Sequence, residues 1–182
     1  LDGTTSFIKG IPHFAVSIAL KVKGRLDQAV IYDPIRGELF TASRGQGAQL
    51  NSKRLRVTKT VELAGSILAT GFPFKQKHHL DAYTDAFKAL FTQTADIRRA
   101  GSAALDMAYV AAGRVDGFFE IGLKPWDTAA GELLVKEAGG MVVDFAGGVN
   151  YNNSGNIICG APKLTQAIIR EIRPVLPEAL LR

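Results

Sequence analysis

Two short stretches of this chain carry residues whose types and spacing could do chemistry on a charged substrate: Leu1-Asp2-Gly3-Thr4-Thr5, and Trp126-Asp127-Thr128-Ala129-Ala130-Gly131. Each sets one carboxylate beside small residues, where a strand can give way to a helix or a tight loop. A chain turning that way leaves backbone N–H groups without helical partners, and these attract anions such as phosphate. An adjacent Asp can hold a cation against the same anion, so a carboxylate beside free amides points to metal and phosphate together. Taken singly, Asp2-Gly3-Thr4 also reads as an ordinary turn and Asp127 as an ordinary helix-start residue.

Other candidates are weaker. Glu120 stands between Phe118-Phe119 and Ile121-Gly122, an odd place for a charge because an unpaired buried carboxylate is costly. It either binds something or pairs with a nearby Arg or Lys. His13, His78 and His79 have no Cys or second His at ligand spacing on a common scaffold and read as solvated loop residues. Cys159, in an apolar run, reads as a small core residue with nothing nearby to activate it.

These residues need elements to hold them. Residues 7–12 read as a connection ending at Pro12. Runs at 15–20, 28–32 and 38–42 are joined by links short enough to predict an antiparallel meander. Arg44-Gly45-Gln46-Gly47 is a Gly-rich turn without the third glycine of a dinucleotide fingerprint, and no Walker A motif occurs. The basic and apolar alternation from Lys53 to Lys59 suits an edge strand. Residues 66–70 read as a strand, and from Asp81 a helix puts Tyr83, Phe87, Leu90 and Phe91 on one face. Ser102 is the expected N-cap of a helix through about Ala112, with Leu105, Ala108, Tyr109 and Ala112 inward. Residues 115–121 form a strand carrying Glu120, and Pro125 opens the helix that holds Asp127. Strands at 141–143 and 157–159 and an amphipathic helix at 162–173 complete the pattern, which suggests sheets between helical layers.

The chain has 182 residues, of which 47% are hydrophobic. That is enough for one domain with a real core and too short to argue for two. No apolar stretch approaches the roughly 20 residues of a membrane-spanning helix. A single cysteine precludes an internal disulfide and fits a reducing cytoplasm. The net charge of +5 would also suit an acidic partner or nucleic acid.

The two motifs at this spacing resemble the paired signature of the inositol monophosphatase family of Mg-dependent phosphatases. The likeness to its bacterial branch runs through 14–22, 29–47, 67–75, 98–106 and 115–140, in order and across essentially the whole chain. The resemblance implies an α/β fold, the layered αβαβα sugar-phosphatase sandwich. Residues 1–182 would form a single domain, the C-terminal two-thirds of the family's domain, with the first helical layer absent. In the family an Asp and a Pro precede the position of Leu1 and a metal-binding Glu lies further upstream, so this polypeptide alone is expected to be inactive.

By the same resemblance the cofactor is Mg²⁺, held by Asp2, Asp127 and the Leu1 carbonyl. Asp2 and Thr4 are catalytic, the Thr4 hydroxyl orienting the attacking water. The substrate is bound by Asp2, Gly3, Thr4, Thr5, Gly101, Ser102, Ala103, Glu120 and Asp127. Glu120 would hydrogen-bond substrate hydroxyls, and Arg98 would reach either the substrate or a subunit interface. The implied activity is hydrolysis of inositol 1-phosphate or a related small sugar or polyol phosphate by metal-activated water, in a cytoplasmic homodimer with no membrane partner. Fructose bisphosphate or a nucleotide 3'-phosphate is the alternative substrate within the superfamily. A different role, able to coexist, is regulatory, since the bacterial branch includes a member that joins ribosomal-RNA transcription antitermination complexes. Lys53, Arg54, Arg56, Lys59, Arg98 and Arg99 could then contact a protein or RNA partner.

Overall fold

The structure is a computed structural model and describes residues 1–181. β1 (Val16–Val22), β2 (Arg25–Asp33), β3 (Glu38–Ser43), β4 (Gly47–Leu50) and β5 (Lys53–Arg54) form a five-stranded sheet in chain order. Every neighbouring pair is antiparallel, as the short links require. Lys23 and Gly24 both take positive φ, 49° and 77°, which matches the twist of a two-residue hairpin. Alternation sends Ala29, Ile31, Phe40 and Ala42 into the core, while Val16, Ile18 and Leu20 are exposed on the opposite face.

The second sheet contains β6 (Ile67–Thr70), β7 (Asp96–Arg98), β8 (Gly117–Glu120), β9 (Met141–Val143) and β10 (Ile157–Gly160), in the order β7-β6-β8-β10-β9. β6 runs parallel to β7 and β8, and β10 antiparallel to β8 and β9. Six helices accompany the sheets among the described residues: α1 (Thr4–Lys9), α2 (Leu80–Phe91), α3 (Ala103–Ala111), α4 (Pro125–Glu137), α5 (Tyr151–Ser154) and α6 (Pro162–Ile172).

α3 and α4 pack together between the sheets, and α2 and α6 pack beyond the second sheet. The layers therefore run sheet, helices, sheet, helices, an α/β arrangement. The first core holds Phe40, Leu105, Met107, Leu134 and Ile157; the second holds Leu90, Phe119, Ile158, Leu164 and Ile168. Each such side chain contributes about 1.5–3 kcal/mol on burial. No helix among the described residues is long and apolar enough to cross a membrane.

Several local expectations are corrected. Residues 4–9, partly assigned to a connection, form α1 between Gly3 and Gly10, both with positive φ. Of the 53–59 run only Lys53–Arg54 pairs as a strand. Leu55 then turns inward, its N–H donating to Ala48 O at 2.8 Å. Phe91 is exposed, and the buried face of α2 is Tyr83, Ala86 and Leu90. α3 has no single inner face, because every residue in it but Tyr109 is buried between the sheets. β7 and α5 have no counterpart in the sequence reading.

Candidate active site

Because β6, β7 and β8 are parallel, their C-terminal ends lie side by side. The residues just past them, Gly71, Arg99 and Ile121, line a cavity of about 620 Å³. Crevices outside the carboxyl ends of strands are where open α/β sheets collect ligands. The start of α1 brings Leu1 to Thr5 to the same wall, the start of α3 brings Gly101 to Ala103 and Asp106, and the start of α4 brings Trp126 and Asp127. Glu120 completes it from the end of β8.

Asp2 is fixed twice. Its backbone makes an isolated bridge, Asp2 N–H donating to Ala15 O at 2.8 Å and Ala15 N–H to Asp2 O at 2.9 Å. Its Oδ2 accepts from Ser102 Oγ at 2.6 Å and from the Ala104 N–H at 2.9 Å. Ser102 Oγ also accepts from the Leu105 N–H at 3.3 Å, the expected cap of α3. The polar start of α3 thus serves the Asp2 carboxylate, whose Oδ1 receives no hydrogen bond from any described residue.

Gly3 has φ 80° and makes no side-chain cap for α1, which leaves first-turn amides without intrahelical acceptors. A Cβ there would lie 2.9 Å from His13 O, so the turn requires glycine on both counts. Pro125 occupies the first turn of α4, and Asp127 Oδ2 accepts from the Lys124 N–H at 2.9 Å. Burial pushes the Asp127 carboxyl above its ordinary value and the charge of Asp2 adds to the rise, while the Lys124 N–H opposes it.

Glu120 is 7% exposed and Asp106 3%. Burial pushes both carboxyls well above the ordinary range. The charges of Asp106, Asp2 and Asp127 add to the rise at Glu120, and that of Asp2 to the rise at Asp106, while Arg99 opposes both. The alternative in which Glu120 pairs with a nearby cation is not realised among the described residues: Arg99 makes no ion pair with it and lies over the Phe72 ring, 4.9 Å from the centroid. A Cβ at Gly71 would overlap the Glu120 carboxylate, so glycine is what lets that strand end pass.

Every expected site residue lines the cavity except Arg98, which pairs with Asp96 at 3.2 Å on an exposed stretch of β7 while its neighbour Arg99 faces the cavity. His13 is a correction: it is half-buried, its Nε2 is enclosed without a hydrogen-bond partner, and burial lowers its pKa. His78 and His79 lie against each other with their rings tilted by 50°, centroids 3.9 Å apart, in a short turn before α2. Cys159 is fully buried and burial drives its thiol far up, as a core residue requires. Sequence reasoning missed Asp106, Arg99, Lys75 and Gln76 as wall residues. The available signal was a lone acid in the apolar run of α3.

Four acids on the wall, Asp2, Asp106, Glu120 and Asp127, face two cations, Lys75 and Arg99. The uncommitted oxygens of Asp2 and Asp127 are hard donors of the kind Mg²⁺ takes, and a cation would relieve the repulsion that raises Asp127. These residues fit part of a divalent-cation site. Among the described residues no cluster of three or more candidate metal-ligating side chains occurs.

The Inositol monophosphatase family profile matches residues 1–176. The Nus factor SuhB of Salmonella typhimurium is 63% identical over 182 residues, covering 100% of this chain and 68% of the relative. The crystal structure of the extragenic suppressor protein suhB from Bartonella henselae superposes with a TM-score of 0.89 at 47% identity, over 95% of this chain and 69% of that one. The inositol monophosphatase from Anabaena gives 0.91 at 39% identity, over 97% and 69%. Motifs, layering, cavity and these extended likenesses agree: the chain belongs to the inositol monophosphatase family.

Proposed function

We propose that this protein is a Mg²⁺-dependent phosphomonoester hydrolase acting on inositol 1-phosphate or a related small polyol or sugar phosphate, as a cytoplasmic homodimer. The observation that carries the reading is the convergence of Asp2 and Asp127, from distant parts of the chain, on one cavity that also holds the uncapped start of α1 and the buried Glu120. Asp2, Asp127 and the Leu1 carbonyl hold Mg²⁺, which when bound neutralises phosphoryl charge and makes water a better nucleophile. The Gly3 and Thr4 amides, with Thr5, cradle the phosphoryl oxygens. Thr4 Oγ1 accepts a hydrogen bond from the attacking water and so aims it. Glu120 reads the alcohol side of the ester, while Gly101, Ser102 and Ala103 wall that side. The test is phosphate release from myo-inositol 1-phosphate with and without Mg²⁺ by the protein carrying the upstream acids that the family resemblance implies: dependence on the ion supports the reading, and release undiminished in a chelator sinks it.

A second reading is favoured by the name of the Salmonella relative, a Nus factor. Lys53, Arg54, Arg56 and Lys59 are exposed along and beyond β5, the edge of the first sheet. Reversing charge at Arg54 and Arg56 should weaken binding to an RNA or acidic protein partner and flatten its salt dependence while hydrolysis persists. Binding equal to wild type across a salt series would leave these cations as solvating groups.

A further inference from the structure

Asp106 projects from the first turn of α3, the helix whose polar start is already taken up by Asp2, and it lines the same cavity as Glu120. Neither carboxyl receives a hydrogen bond from any described residue. Among the described residues the fully enclosed polar side-chain atoms without partners are His13 Nε2 and Thr58 Oγ1. The Asp106 and Glu120 oxygens therefore retain some open surface, and the space they open onto is the cavity they line.

Buried polar groups are normally satisfied, and one carboxyl left unpaired in an apolar setting is costly. This wall keeps two of them, on adjoining elements, and the charge of Asp106 disfavours that of Glu120. No packing role accounts for the pair, since an apolar side chain of the same size would fill either place at lower cost. A ligand that brings hydroxyl groups would satisfy both, because a hydroxyl donates to a carboxylate and accepts from a carboxylic acid.

We propose that Asp106 is a specificity-determining residue of this site, contacting one hydroxyl of the substrate's alcohol part while Glu120 contacts another. The inference rests on the phosphatase reading and narrows it: preferred substrates are phosphate esters whose alcohol carries at least two free hydroxyls, and an ester lacking them leaves both carboxyls unsatisfied. Discrimination then comes from the unmet partner on the protein as much as from the lost contact.

The experiment compares Asp106→Leu, Asp106→Asn and wild type, each in the protein carrying the upstream acids that the family resemblance implies, for kcat/KM on myo-inositol 1-phosphate and on ethyl phosphate, with Tm of the metal-free proteins. Asp106→Leu should cut the ratio of the two kcat/KM values by about ten-fold or more, the effect of losing one good hydrogen bond to a charged group. Asp106→Asn keeps an acceptor oxygen and should recover most of that ratio. Removing an unpaired buried acid should also raise Tm in Asp106→Leu, by about 2–4 °C. An unchanged ratio, or equal losses on both esters with a lowered Tm, would overturn the proposal and make Asp106 a structural residue. If wild type hydrolyses neither ester, the phosphatase reading falls on its own, and calorimetric binding of myo-inositol 1-phosphate decides for Asp106. Weaker binding to Asp106→Leu than to wild type upholds the proposal; equal or absent binding overturns it.

Discussion

Single residues set the cavity's charge, and that charge has a measurable consequence for folding. Burial, followed by the charges of Asp106, Asp2 and Asp127, raises the Glu120 carboxyl well above its ordinary value of 4.5. The folded protein therefore holds a proton that the unfolded chain has released. The associated stability is fully present below the unfolded value and is lost as pH rises through the folded one. Glu120→Gln removes this dependence at constant shape. The Tm advantage of the variant over wild type in metal-free protein should therefore widen as pH is raised above about 4.5, and an advantage independent of pH would contradict the assignment. Asp2, Glu120 and Asp127 were legible as site candidates because each is a carboxylate in surroundings where turns or apolar neighbours make it conspicuous. Asp106 was not, because the period of α3 reads as a plain helix face and only the second sheet shows that all sides are enclosed. Arg98 entered from the family resemblance, as a contact to substrate or to a subunit interface; the end of β7 turns Arg99 and not Arg98 to the cavity.

At the scale of elements, helix starts do the positioning. Ser102 both caps α3 and donates to Asp2, so one hydroxyl couples the stability of a helix to the placement of a carboxylate. Ser102→Ala should cost about 1 kcal/mol through the lost cap and lower kcat by more than that loss of stability explains, with Ser102→Thr restoring both. Wild-type kcat in Ser102→Ala would mean that the Ala104 N–H alone suffices to hold Asp2. The long, periodic or turn-bounded elements, the meander and α2, α4 and α6, were readable because their hydrophobic period or short links exclude other solutions. α1, β7 and α5 were not, since three to six residues show too little period, and they exist only through contacts with distant chain. The 53–59 run failed for a related reason: its alternation is that of a strand, but Leu55 is drawn into the core after two residue pairs.

At the scale of the molecule, two sheets and the helices between them bring Asp2 and Asp127 together. Ala15, just before the first sheet, pins Asp2, the second sheet presents three strand ends, and α3 and α4 direct their starts at the same space. The sandwich of sheets and helices was visible as a switch from meandering strands to alternating strands and helices. Which loop ends meet came from the family resemblance and not from the residues themselves, because strand order in the second sheet departs from chain order. Hydrolysis requires that this convergence build a working cation site. The most direct measurement is phosphate release from myo-inositol 1-phosphate across a Mg²⁺ series by wild type and by Asp127→Asn, both carrying the upstream acids that the family resemblance implies, with Tm recorded for both. Asp127→Asn keeps the side-chain volume and removes a charge, so it should lower kcat/KM by about a hundred-fold or more, roughly 2.7 kcal/mol of lost transition-state stabilisation, with Tm unchanged or raised. Hydrolysis by Asp127→Asn at the wild-type rate and with the wild-type Mg²⁺ dependence would contradict the account.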